Sequence, residues 1–92
     1  MEKITELRVE EVRYIPPLCE LEHGVLYVST VFRGTNHLCP CGCGNEVYLP
    51  TSAGHWSLTM VDGRATLSPS ISCVGFPCKS HYWIRDNKIV WA

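Results

Sequence analysis

The feature that most constrains this chain is a cysteine-rich turn, LCPCGCG, which places Cys39, Cys41 and Cys43 within five residues. About 35 residues later the segment PCKSH adds Cys78 and His81 in a C-x-x-H spacing. Structural zinc sites use four nitrogen or sulfur ligands, usually from short-spaced groups in separate parts of the chain. We therefore expect one zinc ion bound by four of these five residues. The spacing leaves open whether His81 is a ligand or whether the four cysteines bind the metal and leave the imidazole free.

Disulfides, inert thiols and an iron–sulfur cluster are the alternatives to zinc. The N-terminal segment MEKITELRVEEV carries charges where a signal peptide would be apolar, so we expect a cytoplasmic protein. Thiols stay reduced in that compartment, which favours metal over disulfides. The spacings match none of the usual iron–sulfur patterns. The two isolated thiols, Cys19 and Cys73, are expected to be small buried hydrophobic residues outside the site.

Length and charge narrow the classes of function. With 92 residues, the chain is expected to form a single domain, residues 1–92, with a small core that a metal ion would stabilise. The net charge of −1, without a cluster of basic residues, argues against nucleic acid as a partner, because such binding requires clustered Lys and Arg. No apolar run is long enough to span a membrane, so no membrane partner is expected.

The pattern of residues predicts a small, mostly antiparallel β fold of six or seven strands. The run VLYVSTVF, residues 25–32, is rich in β-branched and aromatic residues and is the clearest strand. Two hairpins are predicted, with Asp62-Gly63 and Asp86-Asn87 at their tips, because these pairs tolerate the positive φ angles of two-residue turns. NEVYL is a shorter strand ended by Pro50. The N-terminal segment has no clear period, and we favour a strand there.

Candidate catalytic residues lie close to the second half of the metal motif. Ser70, Ser80 and His81 are the candidates, since a serine nucleophile needs a base within hydrogen-bonding reach. His81 meets this need only if it is not a metal ligand, because a metal-bound imidazole is not a free base. Serines in a segment such as SPS are also ordinary turn residues. His37, just before the cysteine turn, is expected beside the metal site or at the surface.

The order of these motifs resembles a known group of proteins. HLCPCGCG, then TLSPSI, then PCKSHYWIR, resembles a small bacterial zinc-binding family of formally unknown function, over residues 38–91. Members of that family often occur in operons that encode ubiquitin-like proteins with E1-like and E2-like enzymes. The residues that match the family's motif are Cys39, Cys41, Cys43, Trp56, Ser70, Cys78, Ser80 and His81.

The resemblance implies a role in protein conjugation. It implies a peptidase that processes or removes the ubiquitin-like protein, with that protein or its E1-like and E2-like enzymes as partners. A closed zinc site has no open position for water, and the chain lacks the H-E-x-x-H motif of zinc proteases, so a serine mechanism is the expected chemistry. The alternative is a non-catalytic, zinc-stabilised binding module of the same pathway, because a fold alone does not separate the two.

Overall fold

Two four-stranded sheets make up the protein, for which a computed structural model describes residues 4–73 and 75–92. The first sheet has the order β1-β2-β3-β4 and the second the order β5-β6-β7-β8. A single 3-10 turn, Leu18–Glu20, lies between β1 and β2. The eight strands are β1 (Arg8–Glu11), β2 (Val25–Ser29), β3 (Gly34–Leu38), β4 (Glu46–Pro50), β5 (Ser57–Val61), β6 (Arg64–Ser72), β7 (His81–Arg85) and β8 (Lys88–Trp91).

Antiparallel pairing dominates both sheets, as the sequence predicts. The exception is β1, which pairs with β2 in parallel, with Arg8 opposite Val25. The preference for a strand near the N-terminus is therefore confirmed for residues 8–11. A parallel pair needs a long connection, and residues 12–21 provide it while covering the outer face of the first sheet. There Val12 and Ile15 pack against a small cluster of Leu21, Val25 and Tyr27.

Both predicted hairpins are present in the second sheet. Asp62 and Gly63 have φ angles of 51° and 75° and join β5 to β6. Asp86 and Asn87 have φ angles of 51° and 67° and join β7 to β8. Positive φ at both central positions is the backbone that a tight two-residue hairpin turn requires. The sequence therefore sets the register of both hairpins.

The strand prediction for residues 25–32 is too long. β2 ends at Ser29, and the chain turns over residues 30–33 before β3 begins at Gly34. The Ser29 hydroxyl accepts a hydrogen bond from the Phe32 amide at 3.2 Å and donates one to the Arg13 carbonyl at 2.8 Å. Arg33 then adopts a φ of 55° and completes the turn that leads into β3. The short polar strand β3 was not predicted, and the eight strands exceed the predicted six or seven.

The core lies between the inner faces of the two sheets. Residues that are less than 2% exposed come from both of them, among them Leu26 and Val28 on β2, Leu67 on β6, and Tyr82 and Ile84 on β7. Each such large apolar side chain contributes about 1.5–3 kcal/mol when it is removed from water. Among the described residues, no helix is long and apolar enough to span a membrane.

One hydrogen bond joins the sheets through this core. His37 on β3 is fully buried, and its Nε2 lies 2.7 Å from the Tyr82 hydroxyl on β7. Burial lowers the pKa of His37 to about 3, so the imidazole is neutral. Burial also raises the pKa of the Tyr82 hydroxyl. The expectation of a surface position for His37 is wrong, because the ring is buried in the interior and contacts the Tyr82 hydroxyl there.

Candidate active site and metal centre

The cysteine turn connects β3 to β4 and is closed by its own backbone. The Cys39 amide donates to the Asn45 carbonyl at 2.8 Å, which continues the β3–β4 ladder past Leu38. Inside that closure the Gly42 amide donates to the Cys39 carbonyl at 3.1 Å. Gly42 and Gly44 have φ angles of 92° and 85°, a conformation that side-chain-bearing residues rarely adopt. The Pro and Gly residues between the thiols thus allow a tight turn that brings its three sulfurs close together.

The sulfurs of the turn meet the sulfur of Cys78, which lies in the loop between β6 and β7. The Sγ atoms of Cys39, Cys41, Cys43 and Cys78 all lie within 4.8 Å of one another. Three of the separations are 3.4 Å for Cys39–Cys41, 3.8 Å for Cys39–Cys78 and 3.7 Å for Cys43–Cys78. A tetrahedral zinc ion with Zn–S bonds of about 2.3 Å requires sulfurs about 3.8 Å apart. The cluster therefore fits a four-coordinate metal ion, and all four cysteines are free thiols.

Hydrogen bonds around the cluster favour thiolates at its outer members. The Ser80 hydroxyl donates to the Cys78 sulfur at 3.3 Å and, as the largest contribution, lowers the pKa of Cys78 to about 6. At Cys43 burial is the largest single influence and raises the pKa, but hydrogen bonds from the Asn45 backbone and side chain and from Cys41 together outweigh it, so the net shift is downward. At Cys39 burial dominates and raises the pKa. Thiolates are the form that binds metal, so the lowered pKa values of Cys43 and Cys78 favour metal binding.

Ser80 belongs to this cluster. Its side chain is buried, and its hydroxyl lies 3.7 Å from the Cys39 sulfur as well as 3.3 Å from that of Cys78. If these sulfurs bind a metal ion, a hydroxyl in contact with both would orient them and tune their charge. Of the two predicted serine candidates, Ser80 therefore lies against the cysteine cluster.

His81 lies outside the sulfur cluster and contacts the other serine. Its Nε2 is 2.8 Å from the Ser70 hydroxyl, at an exposed position on the second sheet. The four sulfurs supply a complete tetrahedral set without the imidazole. Of the five candidate ligands, the geometry groups the four cysteines and leaves His81 outside that group.

The register of β6 against β7 places the serine next to the histidine. Ser72 lies opposite His81. Ser70 precedes Ser72 by two residues, so in an extended strand the two share a face and Ser70 is a diagonal neighbour of His81. The ladder is irregular just before this point, because Leu67 pairs with Ile84 and Ile71 with Tyr82, which sets residues 68–70 against the single residue Trp83. Such bulges are common next to active sites.

The imidazole is held by its neighbours on the exposed face of β7. The rings of His81 and Trp83 lie 5.6 Å apart at an interplanar angle of 30°. The Arg85 guanidinium lies 5.1 Å from the centre of the Trp83 ring on the same strand. Side chains two residues apart on a strand share a face, so the sequence HYWIR stacks these three groups in a row. This stacking orients the imidazole towards Ser70.

The remaining cysteines lie outside the group of four. Cys19 is exposed in the 3-10 turn between β1 and β2, so the expectation that its thiol is buried is wrong. Cys73 is buried at the start of the β6–β7 loop, and burial raises the pKa of its thiol. The structure also gives Trp56 a specific contact, since its indole N–H donates to the Pro69 carbonyl at 3.1 Å, next to Ser70. Spacing alone gives no sign of that contact.

Comparison with known proteins places the chain in a family. The family model described as "Bacterial ubiquitination-like system serine protease (BubE)" matches residues 11–92, and the chain belongs to this family. The match confirms the resemblance drawn from the cysteine, serine and histidine motifs. No curated protein and no solved structure matches the chain significantly.

Proposed function

We propose that this member of the BubE family is a serine peptidase that processes or removes the ubiquitin-like protein of its pathway, with Ser70 as nucleophile and His81 as general base. The observation that carries the proposal is the 2.8 Å contact between the Ser70 hydroxyl and His81 Nε2. A serine hydroxyl is a weak nucleophile until an adjacent base accepts its proton. The family description, a serine protease, supports the same assignment.

The contact supports a two-step acyl transfer. His81 Nε2 accepts the proton of Ser70 as Oγ attacks the scissile carbonyl carbon, and the imidazolium then donates that proton to the leaving amine. The first step leaves an ester on Ser70. In the second step His81 accepts a proton from water, the resulting hydroxide attacks the ester, and the proton returns to Ser70 Oγ. Because His81 is exposed, substrate and water both reach the pair directly.

In this proposal the metal is zinc and its role is structural. Four cysteines close the coordination sphere, which is the arrangement of structural rather than catalytic zinc sites. When bound, zinc supplies a crosslink between the β3–β4 turn and the β6–β7 loop. Cys78 lies three residues before His81, and the Cys73 amide donates to the Ser80 carbonyl at 2.7 Å across the same loop. The crosslink therefore fixes the chain where β7 begins, and with it the position of His81.

A cleavage assay tests the proposal. The substrate is the ubiquitin-like protein from the same operon, extended at its C-terminus by a reporter domain, and the product is measured on a gel. We expect cleavage by the wild type, a loss of more than a thousandfold in Ser70→Ala, and unchanged cleavage in Ser68→Ala, which removes an exposed hydroxyl from the same strand.

The outcome also separates the proposal from the alternative function. A stable complex with the substrate and no turnover at high protein concentration would identify a binding module instead of a peptidase. Equal cleavage by Ser70→Ala and wild type would show that another residue is the nucleophile.

A further inference from the structure

Two cavities flank the candidate nucleophile and share one wall. The larger, of about 290 Å³, is lined by Ile71, which directly follows Ser70 in the chain. The smaller, of about 210 Å³, is lined by Pro69, which directly precedes it. Trp56 lines both cavities. Ser70 itself lines neither cavity, but the residues on either side of it in the chain each line one. Its backbone therefore lies between two depressions, and a peptidase needs room for substrate residues on both sides of the scissile bond.

The larger cavity is a groove along unpaired strand edges. Four consecutive residues of β4, positions 46–49, line it, although their side chains alternate between exposed and buried. A strand presents consecutive residues to a groove only along its edge. β4 is the edge strand of the first sheet, with β3 as its one neighbour. Among the described residues no strand pairs with its outer edge, so another extended chain can add to it there.

The opposite wall is formed by the end of β6. The β5–β6 ladder ends at Ser57 opposite Ser68, and within residues 4–73 and 75–92 no strand pairs with residues 69–72 on their β5 side. Trp56 bridges the two walls at this point, because its backbone amide donates to the Pro50 carbonyl at 3.0 Å and its indole to the Pro69 carbonyl at 3.1 Å. An indole fixed between these two strand edges marks where a polypeptide would cross from one cavity to the other.

We infer that the two cavities are the halves of one cleft that binds the substrate's C-terminal tail as an extended strand, paired with the free edge of β4 and crossing Trp56 beside Ser70. This inference rests on the proposed peptidase function, which supplies the identity of the tail. Backbone hydrogen bonds hold the tail in this mode, and side-chain pockets select among sequences. Phe76 and Ile71 give the larger cavity an apolar lining, so the tail residue bound there carries an apolar side chain.

Gly75 offers a way to fill the larger cavity with little effect on the fold. It lines the cavity, and a Cβ built at this position meets no atom within 4 Å. Gly75→Trp therefore adds an indole at the wall of the cavity without a clash at Cβ, whereas the matched Gly75→Ala changes the backbone freedom equally and adds one methyl group. We expect Gly75→Trp to lower kcat/KM for the fusion substrate at least tenfold relative to Gly75→Ala, with equal melting temperatures.

Binding is measured separately from cleavage, in the Ser70→Ala background. The probe is a fluorescein-labelled decapeptide spanning the C-terminal tail and junction of the ubiquitin-like protein, followed by fluorescence anisotropy. We expect Gly75→Trp to weaken binding at least tenfold relative to Gly75→Ala. Two further peptides carry N-methyl groups, one on the odd-numbered and one on the even-numbered amides. One of them should bind at least tenfold more weakly than the unmodified peptide and the other less than threefold more weakly, because an edge strand pairs with alternate amides.

The results distinguish failure of the cleft from failure of the peptidase proposal. Equal binding and cleavage by Gly75→Trp and Gly75→Ala would overturn the cleft, as would equal effects of the two N-methylated registers. If the wild type never cleaves but the peptide binds in a Gly75-dependent and register-dependent manner, the cleft stands as a peptide-binding groove and the serine mechanism fails.

Discussion

The hydrogen bond between His37 and Tyr82 provides a quantitative test of how the two sheets are joined. Tyr82→Phe removes the hydroxyl that lies 2.7 Å from His37 Nε2 and leaves that fully buried nitrogen without its partner. His37 Nδ1 has no hydrogen-bond partner among the described residues, so a hydrogen bond at this second nitrogen does not compensate for the one lost at Nε2. Leaving a buried polar atom unsatisfied costs about 1–3 kcal/mol. We expect the free energy of unfolding to fall by about 2 kcal/mol.

Thermal unfolding followed by circular dichroism, with metal in excess, measures this loss. In a domain of this size about 2 kcal/mol corresponds to a fall in Tm of roughly 8–16 °C. The matched control is Tyr14→Phe, which removes an exposed hydroxyl whose only described contact is a 3.4 Å hydrogen bond from Arg13. The control should change stability by less than about 0.5 kcal/mol. Equal effects of the two variants would refute the interior bond between the sheets.

Three further predictions concern the metal and the base. Cys78→Ser should give metal-free, insoluble or unfolded protein, because metal binding contributes directly to the free energy of folding in such sites. The control Cys19→Ser should retain one metal ion per chain, as measured by elemental analysis. A soluble Cys78→Ser variant that melts cooperatively would contradict this prediction. Ser80→Ala should weaken metal affinity by about 10–100-fold, measured by competition with a chromogenic chelator, and an unchanged affinity would refute the role of this hydroxyl. His81→Gln should lower kcat about 10²–10⁴-fold while metal content stays constant, and loss of metal in this variant would instead mark His81 as a ligand.

Local chemistry explains why the hairpins and the metal motif were predictable. Asp62-Gly63 and Asp86-Asn87 fix their turns through backbone preferences that act within two residues. The four cysteines are recognisable because short-spaced thiols in two separate parts of the chain are typical of structural metal sites. Neither inference depends on how the sheets pack.

The features that the sequence did not reveal depend on contacts between distant residues. β3 contains Gly, Thr, Asn and His, and it is a strand because β2 and β4 pair with it on both sides. The end of β2 depends on a hydrogen bond from Ser29 to Arg13, which lies 16 residues away. The contact between Ser70 and His81 depends on the register of β6 against β7, which places Ser72 opposite His81 and which spacing along the chain does not give. Sequence spacing ranked Ser70 and Ser80 equally, and the fold separates them.

Active-site labelling tests the central claim, that Ser70 is a nucleophile activated by His81, most directly. The metal-loaded protein is incubated with a fluorophosphonate probe, and intact mass and peptide mapping locate the adduct. We predict one adduct per chain on Ser70, formed by the wild type and by Ser68→Ala but far more slowly by His81→Gln. A folded, metal-loaded protein that stays unlabelled, or that is labelled on a different serine, would contradict the account.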